Sequence, residues 1–286
     1  MNALRKPALQ DDAFLRDVAA CTWNDGNFRL WWLGQSGFLL GWNGRFVLLD
    51  PYLSDSLTKK YAGTDKPHVP LMERVVDPER LDFISLVVCS HAHTDHLDPD
   101  TLQPLVRNNP HMQLVIPVSA EQTLRARVDV PRLRVTTIDA EQTIVLGAFT
   151  ITAIPSSHET IEHDATGACR YLGYLLRFGS WTVYHSGDTV RYAGLAERLR
   201  ARHVDVALLP INGRSPERRV PGNLDAEEAA ALAAEMQARL TIPCHYDMFA
   251  FNTADPEQFR DAAVRRDVNH CVLPCGACWD SGRLER

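Results

Sequence analysis

The sequence predicts an α/β or α+β fold, on three observations. The chain opens with three short apolar runs separated by glycine and asparagine turns, the pattern of a strand meander. It then alternates apolar, β-branched runs with segments of helical periodicity, as layered folds of sheets and covering helices do. With 286 residues, 45% of them hydrophobic, it can bury the core of one large domain or two small ones. We read one domain, residues 1–286, with no internal repeat.

Taken in order, residues 8–21 read as a short amphipathic helix with Ala13, Leu15, Val18 and Ala19 on its apolar side. Phe28 to Leu33, Ser36 to Gly41 and Arg45 to Leu49 are the meander strands. Tyr52 to Arg80 is a long polar connection, of a length that is usually functional or mobile, and so placed that it could cover an active site. Its His68 could touch substrate, with a solvated loop histidine the plainer reading. Phe83 to Cys89 is a buried strand, and a helix starts near Asp100. Met112 to Val118 is a strand, followed by a helix from Ser119, a candidate N-cap, to Arg127. Leu133 to Ile138 and Thr143 to Ile154 are strands, and Tyr171 to Phe178 with Trp181 to His185 form a hairpin around Gly179-Ser180. Tyr192 to Ala201 is helical and Val204 to Leu209 a buried strand. Asp225 and Glu228 form a capping box for the clearest helix, Asp225 to Ala238, whose stripe of Ala229, Leu232, Ala233 and Met236 faces the core. A strand from Leu240 to Cys244, a helix from Pro256 to Arg265 and a last strand from His270 to Leu273 complete the chain.

The residues that carry chemistry are His91-Ala92-His93-Thr94-Asp95-His96, between the Phe83–Cys89 strand and the next helix. His91 and His93, two apart, project to one side of an extended chain, and a tight turn can aim Asp95 and His96 at a neighbouring point. Imidazole and carboxylate donors suit zinc, manganese and iron. Strand ends in α/β sheets are where chemistry is usually placed. Three further metal-ligand types stand at strand exits: His158 after Ile151–Ser157 (with His163 its competitor), Asp188 after Trp181–Gly187, and His245 after Leu240–Cys244. Read as residues alone, Asp188 could instead cap a helix near Arg191, and His245 could be a core histidine.

His91, His93, Asp95 and His96 stand as the His-x-His-x-Asp-His signature, and on them the chain resembles the metallo-β-lactamase superfamily. Within it, Trp32–Phe38, Tyr184–Thr189, Leu209–Arg214 and Ile242–Asp247 look most like the ascorbate-6-phosphate lactonase branch. The resemblance runs from about Phe28 to about Cys275. It implies a four-layer αβ/βα sandwich, the metallo-β-lactamase fold, with metals at the sheet edge between two halves. It also implies two divalent ions, one held by His91, His93 and His158, the other by Asp95, His96 and His245, with Asp188 bridging. The ligand set suits zinc; the lactonase resemblance suggests manganese. Asp95 and Asp188 are then the catalytic residues of a metal-dependent hydrolase in which a bridging hydroxide opens a lactone or similar ester of a small, sugar-like and in some cases phosphorylated molecule. A phosphodiesterase resembling N-acylphosphatidylethanolamine phospholipase D is the alternative, and a metal-binding scaffold without turnover a third reading. Oligomerisation is implied only by the resemblance.

After the strand ending at Leu209, Asn212 and Arg214 form the best anion site in the sequence, Arg214 having the fork that grips phosphate or carboxylate. A solvated basic loop is the plainer alternative. Tyr246, Asp247 and Asp50 are candidates to support the ligands, and Gln35 reads as a polar turn residue; His185 is open between core and support. The net charge of −6 disfavours a broad nucleic-acid surface, and no apolar run approaches the roughly 18 residues a membrane span needs. The start, Met1 to Pro7, lacks the apolar core of a signal peptide, so a cytoplasmic protein acting on a small molecule is expected. The seven cysteines read as thiols in a reducing compartment, Cys275-x-x-Cys278 included.

Overall fold

A computed structural model describes residues 3–23, 26–129 and 133–284. Two mixed sheets face each other, an α/β sandwich with helices on the outside. The first begins with the meander: β1 (Phe28–Gly34), β2 (Gly37–Trp42) and β3 (Arg45–Leu49), all antiparallel neighbours. β4 (Leu86–Val88), β5 (Gln113–Pro117) and β6 (Arg134–Ile138) then add in parallel to β3. The second sheet holds β7 (Thr143–Leu146), β8 (Phe149–Pro155), β9 (Leu172–Phe178) and β10 (Trp181–His185), antiparallel in turn. β11 (Val206–Pro210) and β12 (Leu240–Cys244) follow β10 in parallel. A last strand, β13 (Cys278–Asp280), returns to the first sheet beside β1.

Aromatic rings join the sheets. Phe28 of β1 meets Phe178 and Trp181 of the second sheet edge to face, with centroids 5.2 and 5.1 Å apart, geometry that aromatic pairs favour. Tyr174, fully buried on β9, donates its hydroxyl to the Cys89 carbonyl at 3.0 Å and ties the second sheet to the end of β4. The helices α3 (Pro99–Asn108) and α4 (Glu121–Arg127) connect parallel strands of the first sheet; α5 (Leu195–Arg200) and α6 (Ala226–Met236) do so in the second. Asp98 caps α3 through the Asp100 and Thr101 amides, and α6 has the expected capping box, with Ala229, Leu232, Ala233 and Met236 buried. Before these come α1 (Asp11–Ala19) and α2 (Ser56–Lys60), and α7 (Pro256–Arg265) packs on α6.

Several expectations need correction. α1 anchors through Phe14 and Val18 rather than through its alanines, since Phe14 packs edge-on against Trp31. The run Thr143 to Ile154 is a hairpin, β7 and β8, because Gly147 turns the chain at φ +60°. Ser119 is not an N-cap; its hydroxyl donates to the Cys169 carbonyl, and a 3-10 turn precedes α4. Residues His270 to Leu273 make one bridge, His270 to Thr241, and the closing strand lies later, at β13. The N-terminal stretch read for a leader begins at Met1 and Asn2, outside the described residues. Among the described residues no helix is long and apolar enough to cross a membrane.

Candidate metal centre

Strand direction alone brings the candidate ligands together. β3 and β4 are parallel, with Leu49 opposite Val88, so Asp50 and the His91–His96 turn leave the first sheet at one edge. β8, β10 and β12 run in one direction through the second sheet, so His158, Asp188 and His245 leave it at one edge too. Close approach of the two edges needs Gly187 (φ +58°). A Cβ there would sit 2.6 Å from the Ser90 Cβ and 2.8 Å from the Leu172 carbonyl.

Asp188 lies at the centre. Its Oδ1 is 3.3 Å from His96 Nε2, and its Oδ2 is 3.3 Å from both His158 Nε2 and His245 Nε2. Around it the donors fall into three overlapping groups: His91, His93 and His158; His91, His96 and Asp188; and Asp95, His96 and His245. Within each, the donor atoms lie within 4.8 Å of one another. All but His93 and Asp95 are buried. His96 Nε2 and Asp188 Oδ1 have no hydrogen-bond partner, although both are buried. An orphaned buried donor or acceptor costs about 1–3 kcal/mol, and two of them facing each other among imidazoles are what a cation would satisfy. The donor set therefore fits divalent metal ions.

The rings are aimed by their other nitrogens. His158 Nδ1 donates to the Gly222 carbonyl at 2.7 Å, which leaves Nε2 free as a lone-pair donor. His96 Nδ1 lies 2.6 Å from Asp50 Oδ2. Asp50 is itself fixed by the Ser90 amide and hydroxyl, at 2.6 and 2.5 Å. The Tyr171 ring lies 5.1 to 5.7 Å from His91, His93 and His158, against all three rings of that group. Three residues at this edge are the first beyond a strand and hold left-handed backbone: Gln35 (φ +49°) after β1, Asp50 (φ +40°) after β3 and His245 (φ +62°) after β12. Such conformations are uncommon for residues with a Cβ and cluster at functional sites.

Electrostatics divide the site. Burial lowers His91 well below the usual imidazole range, helped by the neighbouring His96 and His93, and lowers His93 to about 4. Burial would also lower His96, but Asp188, Asp95 and Asp50 raise it well above that range; Asp188 and Asp95 likewise raise buried His245. Burial works against the Asp188 carboxylate, yet His245 and His96 hold it well below its usual range.

The cluster floors a cavity of about 580 Å³. The 52–80 connection contributes Lys60, Tyr61, Lys66 and His68 to its lining; Arg127 lines it too, as does Arg219, which pairs with Asp65 of that connection. The sequence reading missed these cations, since a cation in a polar loop or at a helix end carries no signal of which cavity it will border. His68 is half-buried rather than free in solvent: it lines the cavity, stacks on Tyr61 at 4.2 Å and meets Phe249 and Phe251 edge-on. Arg214 is not brought to the cluster. Its guanidinium grips Glu228 with both nitrogens, at 2.9 and 2.5 Å, and it borders a neighbouring concavity. Asn212 is buried and bonds Asn252 and Asn223. His163 is exposed in a loop bridged to Cys169. His185 belongs to no donor group; its Nε2 lies 2.8 Å from the Ser36 carbonyl, joining the sheets, and its Nδ1 lies 3.9 Å from Asp50. Asp247 pairs with Arg5, and Tyr246 packs on Trp32. The described cysteines are free thiols and belong to no metal group among the described residues.

Comparison with known proteins agrees with this geometry. Residues 45–246 match the model of the "Beta-lactamase superfamily domain", a span that includes all seven donors. A UPF0173 metal-dependent hydrolase of Opitutus terrae is 32% identical over 253 residues, 85% of this chain and 95% of its own. One of Methanosphaerula palustris is 29% identical over 87% of this chain and 97% of its own. Among solved structures, the metallo hydrolase Igni18 of Ignicoccus hospitalis superposes with a TM-score of 0.66 at 21% identity, covering 89% of this chain and 98% of its own, a likeness of fold.

Proposed function

The chain belongs to the metallo-β-lactamase superfamily, and on that premise we propose that it is a metal-dependent hydrolase of small anionic esters, lactones foremost. The observation that carries the reading is the convergence of seven imidazole and carboxylate donors, five of them lining a cavity sized for a small molecule. His91, His93 and His158 would hold one ion and Asp95, His96 and His245 the other, with Asp188 between them. Such a pair, when bound, supplies positive charge that polarises a carbonyl and makes water acidic enough to ionise near pH 7.

The chain's own residues do the rest. Asp188, charged and central, keeps the two groups of donors in register. Asp95 is partly open to the cavity, with 18% of its side chain exposed, and is placed to orient the attacking water and take its proton on a carboxylate oxygen. Tyr61, His68, Phe249 and Phe251 wall the cavity against bulk water. Lys60, Lys66 and Arg127, all lining the cavity, form no salt bridge to a carboxylate among the described residues, and they favour a substrate that carries an anionic group. That chemistry supports the lactonase branch with a phosphorylated or carboxylated sugar-like substrate. The same rim suits a phosphodiester, which makes a phosphodiesterase the second reading.

The test is hydrolysis by protein loaded with zinc or with manganese, against a lactone panel and a phosphodiester panel, with Asp188→Ala as the blank. Metal-dependent lactone opening, absent from the variant, is expected. Phosphodiester cleavage alone would move the assignment to the second reading, and no turnover by a two-metal protein on either panel would overturn the substrate class.

A further inference from the structure

Gln35 is fully buried, borders the metal cavity and has a side chain that its turn does not need. The structural contacts of this turn are made by its backbone: the Gln35 carbonyl accepts the His245 amide at 2.8 Å and the Trp32 indole N–H at 3.0 Å. Any residue would supply that oxygen. The side chain goes elsewhere. Its Nε2 donates to Asp95 Oδ2 at 2.8 Å and lies 3.3 Å from His245 Nε2. These are two of the three donors in the Asp95, His96 and His245 group, one from each sheet. Gln35 Oε1 is buried and without a partner. An apolar side chain of the same length would fill the space without that cost of about 1–3 kcal/mol. The backbone is equally unfavourable for the residue, with φ +49°, in company only with Asp50 and His245 as first residues beyond strands of this edge.

We infer that Gln35 is a positioning residue for that one group of donors. Its amide holds the Asp95 carboxylate, carried on the first sheet, at the spacing from His245, carried on the second, that a shared ion requires. The tri-histidine group has no contact with Gln35 and is aimed instead by Ser90, Gly222 and Tyr171. The inference rests on the metal reading given above.

The experiment is calorimetric titration of the metal-free protein with zinc, in the wild type and in Gln35→Met, which keeps length and loses the amide. Gln35→Asn is the second variant; it tolerates left-handed backbone better and is one methylene too short to reach Asp95. Asp95→Ala and His93→Ala identify which binding step belongs to which group. Both Gln35 variants are expected to weaken the step that Asp95→Ala weakens, by roughly tenfold to a hundredfold, as for other residues that orient a ligand. The step that depends on His93 stays unchanged. A turn residue with a purely structural role would lower the melting temperature and leave both steps alone, and that result, or equal weakening of both steps, overturns the inference. Uptake of no zinc by the wild type would instead overturn the metal reading itself.

Discussion

The two sheets furnish the same centre in different ways. The first delivers His91, His93, Asp95 and His96 from one turn after β4, six residues long, backed by Asp50 from the neighbouring strand end. The second delivers His158, Asp188 and His245 singly, from the ends of β8, β10 and β12, which lie 30 and 57 residues apart in sequence. A ligand set within one turn is local, and its geometry survives if the rest of the sheet shifts. A set drawn from three strand ends exists only when the whole sheet is formed and in register. The first half therefore gathers four donors in one turn, with the Tyr171 ring of the second half packed against two of them, whereas the second half contributes its three only through the register of its strands.

The largest effect should come from removing the residue on which both halves meet. Asp188→Ala takes away the carboxylate that lies 3.3 Å from His96, His158 and His245 alike. Two-metal stabilisation of the transition state is worth several kcal/mol, so kcat/KM should fall by about 10³-fold or more. Asp50→Asn tests the first half alone. It weakens the acceptor beside His96 Nδ1 while nearly keeping shape, and metal affinity should fall roughly tenfold to a hundredfold with a small change in melting temperature. A loss from Asp50→Asn as large as that from Asp188→Ala, measured by metal titration and turnover, would break the idea that the residue on which both halves meet matters more than support within one half.

The same contrast decided what was legible. The His-x-His-x-Asp-His turn carries its spacing in the sequence, and the structure folds it between β4 and α3. His158 could be preferred to His163 only through a family resemblance, because both are histidines after a strand exit; the structure brings one to the cluster and leaves the other exposed. Gln35 was passed over as a turn residue, although β1 runs with β3 and must end at the same edge as Asp50. That signal was available once the meander was drawn as a sheet. Arg214 looked like an anion site because a sequence cannot show that Glu228, in the first turn of α6, already occupies its guanidinium. Lys66 and Arg219 reach the cavity through loop paths that no periodicity encodes, and Lys60 from the end of the one-turn helix α2.

A smaller effect should sharpen the contrast between the centre and its rim. Lys60 and Lys66 stand on the 52–80 connection, away from the donors, and exposed charges contribute about 0.2–1 kcal/mol each. Lys60→Ala and Lys66→Ala should each raise KM about twofold to fivefold for a lactone bearing a phosphate or carboxylate and leave kcat nearly unchanged. For a neutral lactone neither should change KM. Equal losses on charged and neutral substrates, read from initial-rate kinetics at low salt, would show that the rim acts by holding the loop rather than by meeting charge.

The finest distinction lies between the donor groups themselves. His91, His93 and His158 form a group of imidazoles alone, whereas His96 and His245 sit against Asp95 and Asp188. In the metal-free protein burial therefore wins at His93, which should titrate at about 4, while the carboxylates win at His96 and His245, which should titrate above the ordinary 6.5. The two shifts act on stability with opposite sign. Between pH 6.5 and about 4 the unfolded chain binds a proton at His93 that the folded chain refuses, so this contribution is lost as the pH falls. The contribution of His96 and His245 is present below pH 6.5 and is lost as the pH rises through their folded values. Metal ions compete with protons at all of these nitrogens, so loading should flatten both titrations. Ring-proton NMR of the metal-free protein, repeated after zinc is added, measures this directly. If His93, His96 and His245 all titrate within about one unit of 6.5 when metal-free, the carboxylates do not divide the site, and the two groups differ in position alone.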